Sequence, residues 1–487
     1  MSEKKKSILK KNEIHTLSVE GMTNLGFGVA RVSGCVVFVQ GAVTGDEVEA
    51  KIIKSTPSYS VARIERLITP SVHRTDGRCG NRACSSCAYK LIGYEHEVGI
   101  KERDVKEAFV KAGLSGTKIA PLVPSPSLSE YRNKAQYPIA LTKDGEYSVG
   151  FFAPKSHRVC EARGCPLAPK VFSRIIDLLC AFFKKHSLSV YDEERGTGLL
   201  RHIYLRRGEV TGEILLTLVI TEDSLPYSDG LVRSVTEIFP DVVGVLLNVN
   251  SENTNVILGE KFITLFGRDY IFDSLGGNML KISAPSFYQV NRGAAELLYK
   301  KAGELAEPTK DDVLLDLYCG AGSIGLSMAK DVKELIGIEI VDAAVLCARE
   351  NAEANGIKNA HFYTGDAKDT ERMLENAETQ LGRRIEPSII VLDPPRAGCD
   401  ERLINYVASL SPKRIVYISC NPITLTRDCK LFYELGYDAG VVTPFDLFPM
   451  TGHVESVVCL TKQGDDELHL RSHSFNTVPD FFFTNLT

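Results

Sequence analysis

The sequence predicts a multidomain protein. It has an amino-terminal all-β barrel of the oligonucleotide-binding kind, a central α+β region with a metal-type cysteine cluster, and a carboxy-terminal α/β domain with a doubly wound, Rossmann-like sheet. Three observations predict it. Five short alternating strands crowd into residues 12–69, Cys79, Cys84, Cys87 and Cys165 gather in the next region, and strand and helix patterns alternate from about Thr309.

The chain has 487 residues, 44% of them apolar, which is enough for several cores. It holds no hydrophobic run of membrane-spanning length. Met1–Lys11 is lysine-rich with no apolar stretch behind it, so it reads as a solvated tail and not a signal peptide. Thirteen cysteines in so long a chain point to metal-binding or catalytic thiols in a cytoplasmic protein, not to a secreted disulfide framework. Residues 1–120 hold 19 Lys and Arg against 13 Asp and Glu, and the remainder 38 against 49. A basic amino-terminal third suits a polyanion, although ordinary surface variation gives the same balance.

The barrel strands are expected at Thr16–Glu20, Gly28–Val32, Cys35–Val39, Asp46–Ile53 and Tyr59–Leu67. The central domain is expected over 70–265, opening with a Cys/Arg/Gly-rich loop. A helix from Glu95 to Lys111 follows, and the helical segment 93–113 is a candidate to pack on the catalytic domain. Pro121–Ser127 breaks the chain. Strands are expected at Tyr147–Phe152, Ile203–Arg207, Glu213–Ile220 and Val242–Val249, with a helix from Val171 to Lys185. The α/β domain is expected over 266–462. Its strands are Val313–Asp316, Glu334–Glu339, Asn359–Thr364, Ser388–Asp393 and Lys413–Ser419, with Glu455–Thr461 as an edge partner. A tail, 463–487, carries Phe481–Phe483 without periodicity.

Candidate site residues fall at the carboxyl ends of these strands, where open α/β sheets bind ligands. Asp316-Leu317-Tyr318-Cys319-Gly320-Ala321-Gly322 joins the first strand to its helix. The glycines admit a ligand to the backbone, but the spacing is not that of a pyrophosphate loop, so a phosphate-free nucleoside such as S-adenosylmethionine fits better. Glu339 ends the second strand and suits a ribose diol; Asp366 ends the third and suits the adenine. Either acid alone is equally a helix cap, whereas three acids at successive strand ends read as a cofactor site. Asp393 opens Asp393-Pro394-Pro395-Arg396, a rigid turn placed over the cofactor's reactive end.

Cys420 lies in Ser419-Cys420-Asn421-Pro422, past a buried strand, and Glu455 lies in His453-Val454-Glu455. A thiol, an acid and a cofactor site suit covalent catalysis. Carbon 5 of uracil is a poor nucleophile until a thiolate adds at carbon 6, and a base must then remove the carbon 5 proton. Cys420 supplies the thiol, Glu455 is the candidate base and His453 competes with it. The alternative for Cys420 is an inert buried thiol.

These motifs resemble the RNA 5-methyluridine methyltransferases, specifically the 23S ribosomal RNA (uracil-5-)-methyltransferases, over about residues 12–462. Asp316–Gly322, Asp393–Gly398, Ser419–Pro422 and His453–Val457 are similar to that family's cofactor loop, D-P-P-R motif, nucleophile motif and general-base motif. The resemblance implies Cys420 as nucleophile, Glu455 as proton acceptor and Asp393 at the site. Ser283–Asn291 is similar to the S-x-x-x-F-x-Q-V-N segment, which implies Phe287 near an extruded base and Gln289 at the cofactor. Tyr318, Gly320, Gly322, Ser323, Glu339, Asp366 and Asp393 follow as cofactor contacts; Ser323 stands where some members carry Asn. Residues 12–69 resemble a TRAM domain, whose Lys51, Lys54, Arg63 and Arg66 would meet RNA phosphates.

By chemistry alone, the four cysteines suit zinc or an iron–sulfur cluster equally. The resemblance implies a 4Fe-4S cluster on Cys79, Cys84, Cys87 and Cys165. This chain has one residue fewer in the first gap, and Ser85-Ser86 replaces two glycines. Cys160 competes for the fourth place, but the C-P-L-A-P context matches Cys165. The implied enzyme is a monomer that methylates structured RNA, with 23S rRNA as substrate. The alternatives are a transfer-RNA methyltransferase and a non-catalytic iron–sulfur RNA-binding protein. A cytosine-5 enzyme fits less well because Pro395 and Arg396 stand where those carry a cysteine. A radical enzyme lacks its C-x3-C-x-x-C motif here.

Overall fold

A computed structural model describes residues 9–463, apart from 82, 83, 85, 154 and 155. The tail beyond Gln463 and most of the lysine-rich start lie outside the described residues. Apolar alternation builds the amino-terminal barrel. Leu17, Ala30, Val37, Val39, Val48, Ala50, Ile52 and Ala62 point inward and form one core. Its six strands run in the order Ile14–Ser18, Glu47–Ser55, Tyr59–Thr69, Cys35–Gln40, Phe27–Val32 and Gly21–Met22. The expected first strand, Thr16–Glu20, is divided. Val19 donates to the Asp46 carbonyl at 2.9 Å and Glu20 to that of Val29 at 2.8 Å, so the chain turns a corner there and closes the barrel.

The central sheet has seven strands in the order Lys261–Gly267, Val242–Val249, Ile214–Ile220, Leu200–Arg207, Lys134–Leu141, Tyr147–Phe152 and Val159–Glu161. Helices Lys170–Lys185 and Ser228–Ile238 cover one face through Phe172, Ile176, Leu179, Leu231 and Val235. The other face packs Tyr204, Leu215 and Leu246 against the hairpin Tyr270–Leu275/Asn278–Ser283 and helix Arg292–Ala306. With both faces covered, strands Ile214–Ile220 and Val242–Val249 read as nearly apolar runs. Strand Lys134–Leu141 escapes the sequence reading because it contains Pro138. It pairs with Tyr147–Phe152 only from Ile139 onward, so the proline lies outside that ladder.

The carboxy-terminal sheet runs Ala360–Thr364, Glu334–Glu339, Val313–Leu317, Ile389–Leu392, Arg414–Ser419, Glu455–Lys462 and Tyr437–Ala439, and the first five strands are parallel. Strand order reverses between Val313–Leu317 and Ile389–Leu392, the switch point where such sheets bind ligands. Glu455–Lys462 is not an edge strand. It runs antiparallel to Arg414–Ser419 and is flanked beyond by Tyr437–Ala439 and Thr443–Phe445, two three-residue strands too short to carry a pattern.

Helix Tyr94–Lys111 follows the cysteine loop in sequence, yet Val105 and Phe109 enter the core of the carboxy-terminal domain beside Leu425 and Phe432. Among the described residues, no helix is long and apolar enough to cross a membrane.

Candidate active site

The first strand delivers Asp316 fully buried to the mouth of the sheet. One carboxylate oxygen accepts the Gly325 amide at 2.9 Å and the other has no partner. An orphaned buried oxygen is costly unless a ligand meets it. The loop beyond turns tightly through left-handed backbone at Tyr318, Gly320 and Gly322. Glu339 braces it, accepting Gly320 N–H at 3.1 Å and Val341 N–H at 2.9 Å. Asp366 caps a short helix by accepting Lys368 N–H at 3.0 Å, the other role open to such an acid.

Gln289 is buried at the same crevice, and the Asn133 amide holds its backbone carbonyl at 2.8 Å. Tyr299 has no sequence signature: on helix Arg292–Ala306 it looks like a core position. Its buried hydroxyl lies 3.2 Å from Ser323 Oγ and also meets Gln289, with Asp393 and Asp316 close by. Tyr299 thereby links two of the expected cofactor residues. Phe287 is 64% exposed and so does not pack in a core.

Register brings the thiol and the acid together. Ser419 pairs with Ser456 at the end of the antiparallel ladder, so Cys420 follows and Glu455 precedes that last pair, close enough for the Glu455 charge to act on the thiol. Asn421 caps the helix Pro422–Glu434, and its amide donates to the Arg396 carbonyl at 3.1 Å, tying the turn that carries Cys420 to Asp393–Arg396. The site is acidic and shielded. Burial pushes Asp393 up to about 7. Burial also pushes Asp316 up to about 8, helped by the Asp393 and Glu339 charges and opposed by the Gly325 amide. Glu455, 5% exposed, is raised well above the usual carboxylate range by burial and by Asp393, with Arg396 opposing. The Cys420 thiol is pushed up to about 11 by burial and then by Glu455 and Asp393, with Arg396 again opposing. The Arg396 guanidinium lies 3.3 Å from both His453 ring nitrogens, and burial followed by that charge lowers the imidazole's proton affinity. His453 is therefore the poorer of the two candidate bases. Arg396 is the cation of the site; the sequence marked its motif but gave it no role.

Cys79, Cys87 and Cys165 pack on one small patch against Tyr131, Leu167 and Met450. Burial and the charges of Cys165, Cys84 and Cys79 push the Cys87 thiol up to about 12. The Cys79, Cys84 and Cys165 sulfurs are close enough to act on Cys87, and Lys90 Nζ donates to the Cys84 carbonyl at 2.6 Å. Among the described residues, no three Cys, His, Asp or Glu side chains already stand in metal-coordinating geometry.

The barrel reaches this region too. A Cβ at Gly452, next to His453, would run into the Asn24 carbonyl oxygen, and one at Gly26 would meet that of Ala88. Gly452→Ala is expected to cost about 1–3 kcal/mol of stability through overpacking. It should also lower RNA turnover more than affinity for S-adenosylmethionine. Thermal unfolding with separate cofactor and RNA titrations checks both.

Residues 252–463 match the tRNA (Uracil-5-)-methyltransferase family, and residues 9–64 match the TRAM domain. The chain is 36% identical over 463 residues to a protein of Clostridium tetani described as an uncharacterized RNA methyltransferase, covering 95% of this chain and 99% of that one. It is 37% identical over 468 residues to a protein of Bacillus cereus with the same description, covering 95% and 99%. The fold is similar to that of the tRNA (uracil-54, C5)-methyltransferase of Pyrococcus abyssi in complex with S-adenosyl-L-homocysteine. That likeness has a TM-score of 0.73 and 27% identity, and covers 92% of this chain and 100% of the other. With the buried acids at the switch point and the thiol and carboxyl at the end of one ladder, these likenesses show that the chain belongs to the RNA uracil-5-methyltransferase family, with a TRAM domain at its amino-terminal end.

Proposed function

We propose that the protein methylates carbon 5 of a uridine in structured RNA by covalent catalysis from Cys420. The observation that carries this reading is that the ladder ends at Ser419 and Ser456, one residue short of Cys420 and Glu455, and leaves the Glu455 charge acting on the Cys420 thiol. S-adenosylmethionine, when bound, supplies the methyl group as a sulfonium. Gln289, Tyr318, Gly320, Gly322, Ser323, Glu339, Asp366 and Asp393 hold it. Cys420 gives up its thiol proton to solvent and the thiolate adds to carbon 6 of the base, leaving an enolate, while Phe287, being exposed, stacks on the base. Carbon 5 takes the methyl group as its bond to the sulfonium sulfur breaks and S-adenosylhomocysteine is left behind; Glu455 then removes the carbon 5 proton, and the thiolate leaves carbon 6. Arg396 offsets the negative charge shared by Cys420 and Glu455.

RNA carrying 5-fluorouridine tests this directly, because fluorine at carbon 5 leaves no proton to remove. Incubation with S-adenosylmethionine should leave protein joined to RNA on a denaturing gel, and Cys420→Ser should abolish the band. An adduct that survives this substitution sinks the mechanism.

The buried acids give the cofactor a pH signature. A cation beside Asp393 and Asp316 favours their ionised forms, so its binding releases protons. Affinity for S-adenosylmethionine is expected to rise from pH 6 to pH 8, through the range set by Asp393 near 7 and Asp316 near 8. S-adenosylhomocysteine lacks the sulfonium charge and should respond less. Calorimetry in buffers of different ionisation enthalpy reads the released protons.

The proposed substrate is 23S ribosomal RNA, because a TRAM domain and a four-cysteine site occur together. A transfer RNA is the second reading, favoured by the likeness to the uracil-54 enzyme. Methyl mapping of both RNAs from a deletion strain separates them. Cys79, Cys84, Cys87 and Cys165 are proposed to hold a 4Fe-4S cluster that ties the loop to Tyr131, Leu167 and Met450. Anaerobically purified protein should contain iron and sulfide; stoichiometric zinc instead overturns this assignment.

A further inference from the structure

A group of cations with no carboxylate partner among the described residues lies beside the segment that carries Phe287. Arg206 is 1% exposed. One of its terminal nitrogens donates to the Tyr204 hydroxyl at 2.9 Å and to the Ser286 carbonyl at 2.7 Å, while Nε and the other terminal nitrogen have no partner. Lys134 is its register partner in the neighbouring strand, so both side chains stand on one face of the central sheet. Arg132 precedes the strand, has an unpartnered buried Nε, and lies close enough for its charge to act on both Lys134 and the Cys87 thiol. The stretch Arg132-Asn133-Lys134 is fastened to the crevice: Asn133 N–H donates to the Val290 carbonyl at 2.9 Å and its side chain to that of Gln289 at 2.8 Å.

Arg206 and Lys134 share this face with Arg132 close by, and among the described residues no carboxylate forms a salt bridge with any of the three. A buried guanidinium with open donors is expensive unless an anion arrives to meet it. Ser286, held by Arg206, immediately precedes the exposed Phe287, so an anion here lies one residue from the ring offered to the base. Lys134 and Arg132 are half-buried and reach solvent, while Arg206 adds charge from behind.

We infer that Lys134 and Arg132, backed by Arg206, form a phosphodiester site that grips the RNA backbone next to the extruded uridine. The inference rests on the RNA-methylating reading above. It differs from the barrel's Lys51, Lys54, Arg63 and Arg66, which lie on a separate element. Burial and the charges of Arg206 and Arg132 push Lys134 down to about 8, consistent with a cation lacking its counter-ion. The site also accounts for positioning: fixing a phosphate limits where the sugar can swing its base, which sequence-independent grips on the barrel do not do.

The test is RNA binding by the intact protein across a salt series. Lys134→Met should weaken binding about tenfold at moderate salt and reduce the slope of log K against log salt by about 1. Affinity for S-adenosylmethionine should match wild type. Lys143→Met, on an exposed turn at the far end of the same strand, should leave both RNA affinity and slope as in wild type. An unchanged slope and affinity in Lys134→Met, with wild-type protein binding normally, overturns the phosphate site. Wild-type protein that neither binds nor methylates RNA overturns the proposed function instead.

Discussion

Glu455→Gln is expected to lower methyl turnover by roughly 10²–10⁴-fold, the usual worth of a positioned general base. It should also accumulate RNA that is methylated yet still attached to Cys420. The amide keeps the volume of the carboxyl and cannot take a proton. Addition of the thiolate and arrival of the methyl group come before the step that Glu455 serves, so both should proceed. Elimination then stalls. The site is closed enough that solvent is a poor substitute, since Glu455 is buried at the start of its strand. Labelling the methyl group and the RNA separately distinguishes a stalled adduct from a slow first step. Turnover near the wild-type rate would move the assignment to His453, and His453→Asn is the matching control.

The pH behaviour has a definite sign. A base must be ionised to accept a proton, and burial with Asp393 holds Glu455 far above the ordinary carboxylate range. Wild-type elimination should therefore accelerate as pH rises through the ionisation of Glu455. The Gln variant should lose that dependence, while the earlier addition step keeps the one set by the Cys420 thiol.

Residues set by local sequence were the ones sequence reasoning found. The glycine loop, Glu339 and Asp366 each end a strand of the alternating pattern, and the carboxy-terminal sheet follows from it. Contacts across distant segments were not readable. Tyr299 looks like any buried aromatic on a helix, and only the fold brings its hydroxyl to Ser323. The grip of Arg396 on His453 joins residues 57 positions apart. Strand Glu455–Lys462 resembled an edge because its outer partners are three residues each. The Lys134 strand was hidden by its own proline. The cation group beside Phe287 exists only because an antiparallel register sets Arg206 against Lys134.

Lys101→Met is expected to cost about 3–5 kcal/mol of stability, the scale for removing one partner from a buried ion pair. Lys101 Nζ donates to Glu97 Oε1 at 2.9 Å, Asp446 Oδ1 at 2.8 Å and the Phe448 carbonyl at 3.2 Å. All three charged side chains are fully shielded from solvent. Methionine matches the stem but leaves two carboxylates in the interior, with Arg78 as the remaining cation on Glu97. Burial already raises Glu97, with Lys101 the strongest opposing influence, so the substitution raises it further. A carboxyl raised in the fold costs stability as pH climbs, so the variant should regain part of its loss under acidic conditions. Urea unfolding at two pH values reads this, and a variant within 1 kcal/mol of wild type at neutral pH contradicts it. The damage should not stop at stability. Glu97 also accepts Met450 N–H at 2.7 Å, and Tyr89 of the cysteine loop donates to the Met450 carbonyl at 2.9 Å. Met450 thus joins the helix Tyr94–Lys111, the cysteine patch and the approach to Glu455. Loosening Glu97 should therefore reduce RNA turnover in protein that remains folded, and Glu97→Gln combined with Lys101→Met should recover stability before it recovers rate.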